Sequence, residues 1–210
     1  MDLYSMGLWQ VFLAGGPIMW PILFCSIFAL AIILDKFWHL HRIRIDTQKF
    51  LGNILDKMKR HEIKEALGIC DNTKSPISNI LKAGILKYDR PRDKIKESIE
   101  DASLYEIPKL EKNLSTLATI AHISPLLGLL GTVTGMVRCF QTIQAKATIL
   151  HPIAPGDLAG GIWESLLSTV AGLIVAIPAF VAYNYLVSHI NNFILEMEKA
   201  STELVNFLTE

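Results

Sequence analysis

Hydroxyl side chains lie where hydroxyls are costly. Thr132 and Thr134 fall in the uncharged run 113–137, and Ser165, Ser168 and Thr169 in the uncharged run 165–188. A hydroxyl both donates and accepts a hydrogen bond. A row of them in an apolar setting can therefore solvate a carboxylate while it changes charge. The plainer reading is that each bonds back to a carbonyl one turn earlier in its own helix. Two titratable groups share the stretch. Glu164 stands at the start of the second run, and His122 lies inside the first. His122 is either a modulator of proton access or a packing residue hydrogen-bonded between helices.

No Asp, Glu, Lys or Arg occupies the middle of any long apolar run. A proton path through a membrane ordinarily needs an ionisable group inside it. A path along Thr132, Thr169, Ser165 and Glu164 would thus need a carboxylate from another protein. Other chemistries find no support. Cys25, Cys70 and Cys139 are odd in number and lack metal-ligand spacing, so they read as reduced packing residues. His39 and His41 belong to an interfacial basic cluster more readily than to a metal site. Paired carboxylates, a nucleophile–base motif and a phosphate-cradling loop are all missing. The expectation is no enzyme, no metal, no cofactor and no nucleic acid, since net charge is zero from 20 basic and 20 acidic residues.

Small residues set the helices that carry the hydroxyls. Gly128, Gly131 and Gly135 share one helical face, and the last two form a GxxxG pair. Ser168, Gly172 and Ala176 repeat every four residues. Small stripes of this kind let helix backbones approach closely in lipid. The pattern predicts tight packing of two spans, within one chain or between copies.

Three stretches are long enough to cross a bilayer. Hydrophobic residues make up 51% of the chain and charged residues 19%, and 17 of the 20 basic residues lie between Lys36 and Lys112. Positive charge marks the cytoplasmic side. The expected order is a periplasmic segment 1–15, transmembrane helix 1 over 16–35, a cytoplasmic helical domain 36–112, transmembrane helix 2 over 113–141, a periplasmic loop 142–161, transmembrane helix 3 over 162–187 and a cytoplasmic C-terminal helix 188–210. The first run lacks a basic leader and a small-residue cleavage site, so it reads as a span and not a signal peptide. It has no polar stripe and is assigned to face lipid. Trp9, Trp20 and Trp38 suit the interfaces.

The insert is helical in pattern. Phe50, Ile54, Leu55 and Met58 recur at helical spacing, as do Ile63, Leu67 and Cys70, and Ile77, Ile80, Leu81, Ile85 and Leu86. A last helix starts at Pro91 and continues through Ile95, Ile99, Leu104 and Ile107 into the second span. Unbroken from about 91 to 145, it would reach roughly 80 Å, with kinks expected at Pro108 and Pro125. The predicted fold class is an all-α membrane protein with three transmembrane helices, long helices extending into the cytoplasm and a helical cytoplasmic insert.

The stretches SPLLGLLGTVTG (124–135) and APGDLAGGIWESLLSTVAGLIVAIP (154–178) resemble the proton-channel family of ExbB, TolQ and MotA. Three spans and this length are most similar to ExbB and TolQ. The resemblance implies a homo-oligomer, a pentamer, in the bacterial inner membrane, with the N-terminus periplasmic and the C-terminus cytoplasmic. It implies an ExbD/TolR-like single-span partner carrying a membrane Asp, and a TonB- or TolA-like energy transducer. The family's pore threonines correspond to Thr132 and Thr169, and its span-3 glutamate to Glu164. The implied function is to use the proton motive force to energise TonB-dependent outer-membrane transport. The alternative is a TolQ-like role in the Tol–Pal envelope system or a related adhesion or gliding motor.

Overall fold

The computed structural model describes residues 7–146 and 155–209. Residues 1–6 of the expected N-terminal segment and 147–154 of the expected 142–161 loop lie outside the described residues. So does Ala154, where the second family-like stretch begins.

The described residues form eight α-helices and no strand. They are α1 (Leu8–Ala14), α2 (Met19–Ile43), α3 (Thr47–Lys59), α4 (Ile63–Asn72), α5 (Pro76–Ile85), α6 (Arg92–Glu111), α7 (Leu114–Lys146) and α8 (Pro155–Thr209). Three segments of the described residues are long and apolar enough to cross a membrane: Met19–Lys59, which includes α2, Arg92–Ala145, which includes most of α7, and Leu158–Thr209 of α8. Local chemistry explains several boundaries. Asp46 caps α3 by accepting from the Lys49 amide at 3.2 Å, and Lys57 and Lys59 suit its negative end. Pro76 opens α5, where a missing N–H costs nothing.

The chain divides into two compact units. One comprises Met1–Leu34 and Ser115–Asn184, the other Asp35–Leu114 and Tyr185–Glu210. The expected single helix from 91 to 145 is interrupted, though only by two residues. The interruption falls at neither proline. Pro108 sits inside α6 and Pro125 inside α7. The backbone leaves α6 at Lys112 (ψ 136°) and turns through Asn113 at φ +65°. Asn is among the few side chains that tolerate this left-handed conformation.

In the second unit, Ile54, Ile77, Ile80, Leu81, Ile85, Ile95, Leu110 and Leu204 are fully buried. Helix α5 lies against α6, and Ser98 Oγ donates to the Ala83 carbonyl at 3.1 Å. Leu104 and Leu86, expected on buried faces, are instead exposed. The buried face of α6 runs Ile95, Ile99, Glu106, Leu110. Leu104 is five residues past Ile99, about 140° round the helix. Glu106 takes the inward place. Its carboxylate accepts from Asn79 Nδ2 at 3.1 Å and Lys109 Nζ at 2.8 Å. Lys36 is only 3% exposed, and its ammonium donates to the Leu110 carbonyl at 2.8 Å, near the end of α6. That cation satisfies one of the carbonyls a helix C-terminus leaves orphaned.

Cys70 is buried in the same unit, and removal from water, reinforced by Asp71, pushes its thiol up to about 11. The folded state therefore resists forming the thiolate. The stability this confers is present below the ordinary thiol value and is lost as pH rises through about 11. Cys70 is expected to resist alkylation at neutral pH until the unit opens. Mass spectrometry of iodoacetamide-treated native and denatured protein measures this, and rapid native labelling would refute it.

Candidate functional site: the α7–α8 seam

In the first unit, the glycines of α7 and α8 face each other's backbone. A Cβ at Gly172 would stand 2.6 Å from the Ser124 carbonyl oxygen and 3.2 Å from the Gly128 Cα. A Cβ at Gly128 would stand 3.1 Å from both the Ser168 carbonyl oxygen and the Thr169 Cα. Gly131 lies against the Ser168 side chain, and Gly135 against Ser165 and the Gly161 carbonyl. Ser168, Ala176 and Ala179 are buried along the same line. The small residues therefore meet across one intrachain seam, and glycine is required wherever a partner's backbone is the neighbour.

The hydroxyls flank this seam. Each bonds to its own helix: Thr132 Oγ1 to the Leu129 carbonyl (2.6 Å), Thr134 to Gly131 (3.0 Å), Ser165 to Gly161 (2.8 Å), Ser168 to Ser165 (2.9 Å) and Thr169 to Ser165 (3.1 Å). Two of them also reach across. Ser165 Oγ lies 3.2 Å from the Thr132 carbonyl, and Thr169 Oγ1 lies 3.3 Å from the Gly128 carbonyl. A hydroxyl has one proton to donate, so Thr169 has a choice of two acceptors. Its lone pairs remain free to accept from a third group. Thr132 and Thr169 are each half-buried, as a group lining the edge of a seam should be.

Glu164 takes a different side of α8 from Thr169. Glu164 precedes Thr169 by five residues, about 140° round α8. Its carboxylate pairs with Arg138 of α7, whose Nη1 lies 2.5 and 2.7 Å from the two oxygens. Arg138 follows Thr132 by six residues, about 120° round α7. Sequence reading passed over Arg138 as the mere end of an apolar run. The available signal was that Arg138 and Glu164 are opposite charges at matching ends of adjacent spans.

His122 of α7 packs against α8 through its ring. Its Nδ1 is 2.6 Å from the Ala118 carbonyl, and its ring meets Phe180 edge-on at 5.6 Å between centroids. The three cysteines are free thiols, and Cys139 Sγ lies 3.3 Å from the Leu158 carbonyl. Beside α1, Trp9, Phe12 and Trp20 form one aromatic cluster with centroids 5.2 to 6.4 Å apart. Among the described residues, no three His, Cys, Asp or Glu side chains converge to hold a metal.

The chain has relatives in sequence. It is 29% identical over 190 residues to an ExbB homolog of biopolymer transport from Methanothermobacter thermautotrophicus, covering 90% of this chain and 66% of that protein. It is 32% identical over 186 residues to a biopolymer transport protein ExbB-like from Synechocystis, covering 84% of this chain and 69% of the relative. A shorter stretch of 87 residues is 44% identical to the Tol-Pal system protein TolQ of Haemophilus influenzae, covering 41% of this chain and 36% of TolQ. The chain thus spans about two thirds of the first two relatives' length. The sequence profile of the MotA/TolQ/ExbB proton channel family matches residues 72–199, which include α7 and most of α8. A match over more than half of the chain makes it a multi-pass membrane protein belonging to the MotA/TolQ/ExbB proton channel family.

Proposed function

We propose that the chain is an ExbB-like subunit of an inner-membrane motor that uses the proton motive force to energise TonB-dependent outer-membrane transport. One observation carries the reading. Thr132 and Thr169 flank a seam too tight for larger side chains, on helices without an Asp, Glu, Lys or Arg of their own mid-span. Such a wall suits a carboxylate brought by a second protein. In this reading a homopentamer surrounds an ExbD/TolR-like single-span partner with a membrane Asp, and a TonB-like transducer takes up the work. The N-terminus is periplasmic, residues 36–112 are cytoplasmic, and the C-terminus is cytoplasmic.

The hydroxyls' part follows from their hydrogen bonds. When the partner's carboxyl is protonated, it donates to the free lone pairs of Thr132 or Thr169. When it ionises, the threonine turns its single proton from a helix carbonyl toward the anion. Thr169 makes that exchange with least loss, since one of two carbonyls keeps alternative contacts. Ser165 extends the polar edge, and His122 adjusts proton access from the far end.

Thr169→Val keeps the shape and removes the hydroxyl. Partner-dependent proton flux in vesicles should fall by on the order of ten- to a hundredfold, the size of a lost hydrogen bond to a charge. Normal assembly with unchanged flux would remove Thr169 from the mechanism. A TolQ-like role is the second reading, favoured by the 44% identical stretch. Rescue of a TolQ-deficient strain without rescue of TonB-dependent uptake would select it.

A further inference from the structure

We propose that Arg138 is a positioning residue for Glu164, and that the pair is a latch: it seats the carboxylate at the Gly16 turn instead of presenting it as a proton carrier beside the threonines.

Three pieces of chain converge on the carboxylate. Arg138 of α7 holds both oxygens with one nitrogen. Glu164 of α8 is nearly enclosed, its side chain 12% exposed against 49% for Arg138. Gly16, in the turn between α1 and α2, supplies the third wall. It adopts φ +77°, and a Cβ there would collide with the Glu164 carboxylate, standing 2.6 Å from its carboxyl carbon. Only glycine provides both the conformation and the space. The seat is thus made by the backbone of one helix lead-in and the guanidinium of another helix.

The angular positions set the latch apart from Thr132 and Thr169, while Thr134 and Ser168 lie one turn from Arg138 and Glu164 on the same helix faces. Both members of the latch stand 120° or more round their helices from Thr132 or Thr169 on the same helix, at about 100° per residue. The latch is also the one ion pair of the first unit among the described residues. A charge at such a site is costly alone and tolerable when paired. Removing either partner should therefore harm the protein more than removing both.

The latch does not depend on the function proposed above, but its activity readout does. The full chain is co-purified with an ExbD-like single-span protein and placed in proteoliposomes. Arg138→Gln and Glu164→Gln are each expected to lower flux about tenfold, while the double variant returns to within about threefold of the parent, a coupling expected of contacting residues. Arg138→Lys should keep most activity, and Gly16→Ala should mimic the single losses without altering a charge. The double variant should also keep the parent's flux-versus-pH profile, because the titrating carboxylate belongs to the partner. A double variant no better than the singles, or one whose pH profile loses its step, overturns the latch. If the parent shows no partner-dependent flux, the motor reading fails. The thermal midpoints of the parent, Arg138→Gln, Glu164→Gln and the double variant then decide. A double variant more stable than either single supports the latch, and additive losses overturn it.

Discussion

Gly172→Ala should prevent α7 and α8 from closing, although it adds one methyl group to a helix. In an exposed helix the same change is favourable by about 1 kcal/mol. At position 172 the new Cβ would stand 2.6 Å from the Ser124 carbonyl oxygen and 3.2 Å from the Gly128 backbone. These neighbours are main chain and cannot rotate away. The helices must separate, losing the contact between Thr169 and Gly128 with them. The expected cost is about 2–3 kcal/mol, at the upper end for overpacking. Gly160→Ala is the control, since nothing lies within 4 Å of a Cβ there. Gly128→Ala should fall between the two, with its nearest contacts at 3.1 Å. Thermal unfolding of the detergent-purified proteins measures the order. If Gly172→Ala melts with Gly160→Ala, the seam is not formed by these faces.

The seam was legible because small residues at helical spacing identify a packing face whatever lies opposite. Gly128 and Gly172 announce that a backbone comes close, and here the backbone is that of the other span of the same chain. Sequence alone left open whether it came from the same chain. The latch was less legible for a related reason. Glu164 and Arg138 are each single charges at the edge of an apolar run, and periodicity does not say which edges meet. The register of α6 failed at Leu104 because apolarity was taken as the guide to the inward face. Glu106 occupies that face, and its burial is made tolerable by Asn79 and Lys109, a pairing visible only once α5 lies beside α6. The break at Asn113 escaped notice because prolines were the expected breakers, whereas a left-handed Asn ends α6 while both prolines are absorbed.

Leu204→Ala tests what holds the second unit together. The periodic insert looked self-contained from residue 36 to residue 112, yet its core is completed by the end of α8. Leu204 is fully buried. A Cβ at Gly84 of α5 would stand 2.8 Å from the Ile99 side chain of α6 and 3.3 Å from Leu204 Cδ2, so three helices converge there. Arg92 Nη2 reaches Asn206 Oδ1 at 2.9 Å beside this contact, and Thr47 Oγ1 reaches Glu196 at 3.2 Å. Truncating Leu204 removes buried methyl groups at a point where the side-chain-free Gly84 backbone and Ile99 lie close. The expected loss is about 2–5 kcal/mol. Cys70 supplies the reporter, because its buried thiol reacts only when the unit opens. If opening precedes labelling, the loss raises the alkylation rate by on the order of thirtyfold or more. Thr202→Ala is the control, since Thr202 is exposed and its hydroxyl donates to the Glu198 carbonyl of its own helix. Equal labelling rates in the two variants would mean that the insert folds without α8. A faster rate in Leu204→Ala alone would make the C-terminal helix part of the insert's core.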